Sequence, residues 1–277
     1  MINTIEQHQQ ISENERAGNK GVFAQLAGYY DLLYRDKDYP AETAYIVGLI
    51  RRFCPEAKSI LELGSGTGKH AHLLANTGFH VHGIERSPEM LARSLEMADA
   101  DKQHSDVPPT FFSQGDIRTA RLHQHFDCVI ALFHVISYQC TNEDVLAALE
   151  TAWDHLNVGG VFIFDVWYGP AVLTEKPEVR IKRVADEQIE VTRIAEPIIH
   201  TNANLVDVNY HAFVRTWQTG EIEDFRETHV MRYFFNTEVE LMAAQTRFKV
   251  LHAEEWLTGK QIGSHTWGAC FILRKVI

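Results

Sequence analysis

The sequence predicts an α/β fold: a parallel sheet with helices on both faces, extended by an antiparallel β insertion. Two patterns carry this prediction. Between residues 58 and 168, short runs of Val, Ile, Leu and Phe alternate with amphipathic stretches at helical spacing, as expected for strands buried on both faces. From about residue 178 to 235 the helical period is lost, and β-branched and polar residues alternate, as in a sheet with one wet face. A chain of 277 residues, 45% of them hydrophobic, can bury a large core without disulfides or metal. The expected divisions are an N-terminal arm (1–27), a core (28–168 and 236–277) and a β-rich insertion (169–235).

The elements follow in order. A polar stretch, MINTIEQHQQISENERAGNK, precedes GVFAQLAGYYDLLY, and a helix is expected from Pro40 to Phe53, with proline in its first turn. SILEL (59–63) reads as the first strand and GKHAHLLANTG as a helix stopped by Gly78. FHVHGIE (79–85) is the second strand. Ser87, Pro88 and Glu89 then open a helix through Met97, as N-cap, first-turn proline and early acid. TFFSQG (110–115) and FDCVIALF (126–133) are the third and fourth strands. An amphipathic helix over 142–156 stops at Gly159-Gly160, and VFIFDVW (161–167) is the fifth. The insertion contributes VRIKRVA, QIEVTRIAE, LVDVNYHAFVR and FRETHVMRYFF. Thr237 and Glu240 read as a capping box for a helix to Gln245, and KVLHAEEW and WGACFILRK close the chain as two strands.

Charge and composition exclude several functions. Lys plus Arg number 26 against 37 Asp plus Glu, a net charge of −11, which repels a phosphate backbone or an anionic membrane. No nucleic-acid or membrane partner is expected. The four cysteines lack CxxC spacing, and no apolar leader opens the chain, so a reducing, cytoplasmic setting is expected. Histidine is abundant at 15, but His70/His72, His80/His82 and His123/His125 are two apart with no third ligand nearby, so no metal site is expected.

The chemistry concentrates in Glu62-Leu63-Gly64-Ser65-Gly66-Thr67-Gly68. Glycines at every second position between a strand and a helix let the backbone approach a ligand closely. A dinucleotide fingerprint would place its third glycine where Lys69 stands, so the loop favours a ligand without a pyrophosphate. Glu85, at the end of the second strand, suits two ribose hydroxyls, and Asp116 after the third suits an adenine amino group. Together they fit one nucleoside across the switch point of an open sheet.

These residues resemble the class I S-adenosylmethionine-dependent methyltransferases. The shared segments are ELGSGTG (62–68), GIERSPEML (83–91), GDI (115–117), FDCVIALFHVISY (126–138) and LNVGGVFIFDVW (156–167). The resemblance implies a Rossmann-like seven-stranded sheet whose last strand is antiparallel, with the β-rich segment inserted after the fifth strand. It implies that Glu62, Gly64, Ser65, Gly66 and Gly68 surround the methionine part of S-adenosyl-L-methionine. Glu85 would meet the ribose, and Met90, Asp116 and Ile117 the adenine. Tyr30 and Tyr39 would form a lid over the cofactor, and Arg86 and Phe133 are also expected to contact it.

Within that family the layout is most similar to the N-methyltransferases of nucleotide-linked amino sugars, through YYDLLYRDKDYPAE (29–42), FHVISY (133–138) and DVWYGPAVL (165–173). The implied acceptor is a small-molecule amine. An amine with a pKa near 8 is about one-tenth neutral at pH 7, so no strong base is required. His134 and Tyr138 are the expected catalytic pair, and Trp167 and Tyr168 the expected floor of the acceptor pocket. The insertion is expected to shape that pocket or to form a homodimer contact. The alternatives are methylation of another small metabolite, a non-catalytic nucleotide-binding protein and a nicotinamide-dependent oxidoreductase.

Overall fold

The computed structural model describes residues 25–101 and 107–276; residues 1–24 of the expected arm lie outside the described residues. Strands β1 (Ser59–Leu63), β2 (His80–Glu85), β3 (Phe111–Gln114), β4 (Phe126–Ala131) and β5 (Leu156–Tyr168) run parallel in the order β3-β2-β1-β4-β5. At the chain's end, β11 (Gly268–Lys275) pairs antiparallel with β5, and β10 (Phe248–Glu255) pairs antiparallel with β11. This is the seven-stranded, Rossmann-like sheet with one reversed strand.

Side-chain alternation builds a core on each face. Ile60, Val81, Ile130 and Ile163 pack beneath α1 (Tyr39–Phe53) and α2 (Lys69–Asn76). Leu61, Leu63, Val129 and Phe162 pack beneath α4 (Asn142–His155) and α6 (Asn236–Gln245). Helix α3 (Pro88–Asp101) packs beside β3, and the short α5 (Gly169–Thr174) follows β5. Asp38 caps α1 by accepting the Ala41 N–H at 2.9 Å, and Thr141 caps α4 through the Asp144 N–H at 3.1 Å.

The insertion is an antiparallel meander of β6 (Arg180–Ala185), β7 (Ile189–His200), β8 (Leu205–Thr216) and β9 (Ile222–Phe234). It joins the core sheet where β9 runs parallel to the end of β5, pairing Trp167 with Tyr233 and Tyr168 with Phe234.

Two local expectations are corrected. Strand β5 starts at Leu156, directly after α4, because Phe126 pairs with Leu156 and a register shift before Cys128 and Val161 absorbs Gly159-Gly160. The carboxylate capping α6 belongs to Glu238, not Glu240. Its Oε2 accepts the Phe235 N–H at 3.2 Å, while Arg232 holds its other oxygen.

Asp127 fastens the entry to the sheet. Its Oδ2 accepts the Lys58 N–H (2.9 Å), the Ser59 N–H (3.1 Å) and the Ser59 hydroxyl (2.9 Å), and its Oδ1 accepts the Asn157 amide at 2.9 Å. Burial pushes its pKa up, but these donors outweigh burial and hold the carboxyl below the ordinary aspartate range. Asp127→Ala is expected to cost about 1–3 kcal/mol of stability in denaturant unfolding at pH 7. The native contribution should be complete above the unfolded-state value near 4 and fade as pH falls through the lower folded value. A variant as stable as wild type at pH 7 would contradict this role.

Candidate active site

A cavity of about 870 Å³ opens where the carboxyl ends of the core strands face the insertion. The turn after β1 forms one part of its wall. The Gly64 and Ser65 N–H groups both donate to the Ile84 carbonyl, at 2.8 and 3.0 Å. Gly64 has φ of +71°, and a Cβ there would stand 2.7 Å from Val135 Cγ2, so only glycine fits. Gly68 has φ of +83° and caps α2, packed against Phe112 rather than lining the cavity.

Glu85 ties the turn to the next helix. Its Oε2 accepts the Gly66 N–H at 2.8 Å and its Oε1 accepts the Ser87 N–H at 2.7 Å. The Glu62 carboxyl stands behind the turn, 1% exposed. Burial, reinforced by the Glu85 charge, pushes its pKa up to about 8, so it is mostly protonated at pH 7. Its neighbour His70 bonds Glu42 at 2.8 Å, and Glu42 also takes Lys37. Burial lowers the His70 pKa despite the carboxylate beside it.

The segment from Gln25 to Tyr34 covers this region. Asp31 accepts the Thr67 hydroxyl at 3.3 Å and pairs with Lys69 at 2.7 Å and Arg93 at 3.3 Å. Tyr30 packs with Met90, Tyr34 and Phe133. The Lys37 ammonium lies over the rings of Tyr39 and Phe133, 4.3 and 4.5 Å from their centroids.

At the end of β4, Phe133 and His134 both have φ of +63°, a conformation that non-glycine residues rarely adopt. The pair of left-handed residues turns the chain sharply beside the cavity that both line. His134 donates its backbone N–H to Asp165 Oδ2 at 3.1 Å. Its Nδ1 stands 2.7 Å from the same oxygen, out of hydrogen-bond alignment. The Tyr138 hydroxyl meets His229 Nδ1 at 2.9 Å, and His229 Nε2 meets Glu227 Oε1 at 2.8 Å. Burial holds the Tyr138 pKa well above the ordinary tyrosine value.

Most of the sequence-derived residues converge here. Tyr30, Tyr39, Glu62, Gly64, Ser65, Gly66, Glu85, Arg86, Met90, Asp116, Ile117, Phe133, His134, Tyr138 and Trp167 all line the cavity. Tyr168 is a correction. Strand alternation sends Trp167 to the cavity and Tyr168 to the opposite face, where it is 7% exposed among Phe164, Val166 and Phe234. Asp116 also differs from the free acceptor expected, because Arg118 donates to both its oxygens, at 2.6 and 2.9 Å. The Asp-x-Arg spacing was the readable signal for that pair. Arg180, Arg193 and Tyr210 of the insertion line the cavity too; no local sequence pattern placed them there.

The cavity is prepared for a polar ligand. Glu62 Oε2, Ser65 Oγ and Arg193 Nε are buried without a hydrogen-bond partner, and all three residues line it. Each such group costs about 1–3 kcal/mol until satisfied. The donor and acceptor set, with an aromatic pair already facing a cation, fits a cofactor bearing amino, carboxylate and sulfonium groups. Among the described residues, no three His, Cys, Asp or Glu side chains form a metal cluster, and no helix is long and apolar enough to cross a membrane.

A family profile described as "Methyltransferase domain" matches residues 60–160. The dTDP-3-amino-3,4,6-trideoxy-alpha-D-glucopyranose N,N-dimethyltransferase of Streptomyces venezuelae is 29% identical over 236 residues, 84% of this chain and 94% of that protein. DesVI from Streptomyces venezuelae superposes with a TM-score of 0.72 at 27% identity, covering 91% of this chain and 99% of that one. An S-adenosylmethionine-dependent methyltransferase from Clostridium acetobutylicum shares the fold, with a TM-score of 0.77 at 20% identity over 92% and 99% of the two chains. A profile match that opens on β1 and its glycine turn, joined to relatives that run nearly end to end with this chain, supports an S-adenosylmethionine-dependent methyltransferase.

Proposed function

We propose that the protein methylates the amine of a nucleotide-linked amino sugar. The observation that carries this reading is the shared cavity: one space is lined both by the glycine turn with Glu85 and by two arginines of the insertion, Arg180 and Arg193. Arg193 donates through Nη1 to the Tyr34 hydroxyl at 3.1 Å and lies over the Tyr210 ring, 4.7 Å from its centroid. Its Nε is still unpartnered. In a chain of net charge −11, this local positive wall suits a diphosphate. The amino-sugar N,N-dimethyltransferases among its relatives support the same class of acceptor.

On this reading, Gly64, Ser65 and Gly66 let the backbone approach the cofactor's methionine part, beside Glu62. The Glu85 carboxylate, oriented by the Gly66 and Ser87 N–H groups, accepts the ribose hydroxyls. Met90, Ile117 and the Asp116–Arg118 pair wall the adenine, while Tyr30, Tyr39 and Phe133 cover the sulfonium. S-adenosylmethionine supplies a methyl group activated by that positive sulfur. The chain's own task is then to hold a neutral amine in line and exclude water. His134, steadied by Asp165, orients the amine, and Trp167 walls the pocket. The insertion serves as the acceptor-side wall, and the four free cysteines suit a cytoplasmic setting.

A panel of dTDP-amino sugars, small amines and small hydroxyl compounds, incubated with S-adenosylmethionine and read by mass spectrometry, tests the reading directly. A mass gain of about 14 Da on the amino sugars is expected, since one methyl replaces a single proton; gains confined to nucleotide-free compounds would overturn it. Glu85→Ala should weaken cofactor binding at least about tenfold by calorimetry, since hydrogen bonds to a charged group are lost. Unchanged affinity would remove the ribose role. Arg193→Met should raise KM for the nucleotide-linked sugar roughly tenfold while leaving KM for a nucleotide-free amine unaltered. Equal effects on both would assign Arg193 to packing.

A further inference from the structure

The insertion contributes a buried polar chain that the cofactor and acceptor assignments leave unused. It runs from the Tyr138 hydroxyl to His229 Nδ1 (2.9 Å) and from His229 Nε2 to Glu227 Oε1 (2.8 Å). Tyr138 lines the cavity, whereas His229 is 2% and Glu227 8% exposed. The direction of the chain follows from its partners. A carboxylate only accepts, so His229 carries its proton on Nε2 and presents a lone pair at Nδ1 to the Tyr138 O–H. The second Glu227 oxygen accepts the backbone N–H groups of Leu26 and Gln25, at 3.2 and 3.3 Å. The carboxylate therefore also grips the start of the segment that brings Tyr30 and Tyr34 over the cavity.

We infer that Tyr138, His229 and Glu227 form a relay that takes a proton from the bound acceptor ammonium, so that the closed enzyme uses the protonated acceptor as well as the neutral one. The inference rests on the amine-acceptor reading above. In the step, an N–H bond of the ammonium breaks as an O–H bond forms on Tyr138, and the original Tyr138 proton passes to the Nδ1 lone pair of His229. The amine keeps the electron pair needed to attack the methyl group. Glu227, already accepting the Nε2–H, balances the imidazolium, which returns its proton to water when the product leaves. Tyr138 is the residue that meets the acceptor; His229 and Glu227 act through it.

Other titratable groups surround the relay. Tyr210 of β8 stands with its ring 4.9 Å from that of His229, and Arg193 of β7 lies over Tyr210. Tyr34 of the covering segment accepts from Arg193, and the Cys140 thiol donates to the Tyr138 carbonyl at 3.5 Å. Arg193 and Glu227 supply the opposite charges at its edges.

The test compares wild type with Tyr138→Phe and Glu227→Gln in the full-length enzyme, using dTDP-3-amino-3,4,6-trideoxy-α-D-glucopyranose as acceptor and following kcat/KM from pH 6 to 9. Wild type should keep its acid limb below the pKa of the free amine. Both variants should move the limb up to that pKa, losing about tenfold at pH 7, where roughly a tenth of such an amine is neutral, and should converge with wild type near pH 9. Calorimetric affinity of Tyr138→Phe for S-adenosylmethionine should stay unchanged, which shows that this variant is folded. Glu227→Gln, which also touches the covering segment, is read by its pH profile. A loss of equal size at every pH, or no loss, would overturn the relay. A wild-type enzyme that leaves the amine unmethylated would overturn the acceptor reading itself, a different result from an amine methylated with an unaltered pH profile.

Discussion

Two residue pairs, Trp167 with Tyr233 and Tyr168 with Phe234, join the insertion to the core, and the site depends on them. Strand β5 runs parallel to β4 and antiparallel to β11, and Trp167 is held by both β11 and β9 before Tyr168 pairs with Phe234. A chain that must satisfy backbone groups on both edges has little freedom of register. Fixing β9 in this way fixes β8 and β7 behind it, and so sets Arg193, Tyr210 and His229 opposite the glycine turn. The same pairing fixes parity, with Trp167 toward the cavity and Tyr168 toward the core.

The acidic composition of the chain conceals an uneven distribution of charge. Around the glycine turn, carboxyl groups face backbone N–H donors and one another, so Glu85 keeps two N–H partners while Glu62 is driven toward its neutral form. On the insertion side, the Arg193 guanidinium faces the rings of Tyr34 and Tyr210 and donates to the Tyr34 hydroxyl. Net charge describes how the whole molecule meets a polyanion; it does not describe a cavity whose walls differ in sign.

The fold was legible because its determinants are local. The apolar runs at 59–63, 80–85 and 126–131, the glycine turn and the Pro88 helix start each state their structure within a few residues. The acids at strand ends were legible for the same reason, since a parallel sheet gathers those ends on one edge. Tyr168 was misassigned because one residue of parity in a strand reverses a side chain, and the apolar run from Val161 to Trp167 shows no alternation to set it. Glu238 was missed for a similar reason, because its helix starts two residues earlier than the Thr237 spacing indicates. Arg193 and His229 lie far along the chain from Tyr138, and only the pairing of β5 with β9 brings them together. No periodicity in the sequence encodes that approach.

The covering segment is fastened differently from the core it covers. Asp31 holds it to Lys69 and Arg93, with side chains 39%, 27% and 33% exposed respectively. Exposed pairs of this kind contribute about 0–1 kcal/mol each and weaken as salt screens them. The strands beneath are held by buried Ile, Leu and Phe and by continuous ladders. Toward the insertion the same segment is held by buried Leu26 and Leu33 against Val184, Val191 and Val214, and by Glu227 on its Gln25 and Leu26 N–H groups. Ionic strength therefore loosens the edge over the glycine turn while the opposite edge stays hinged to the strands.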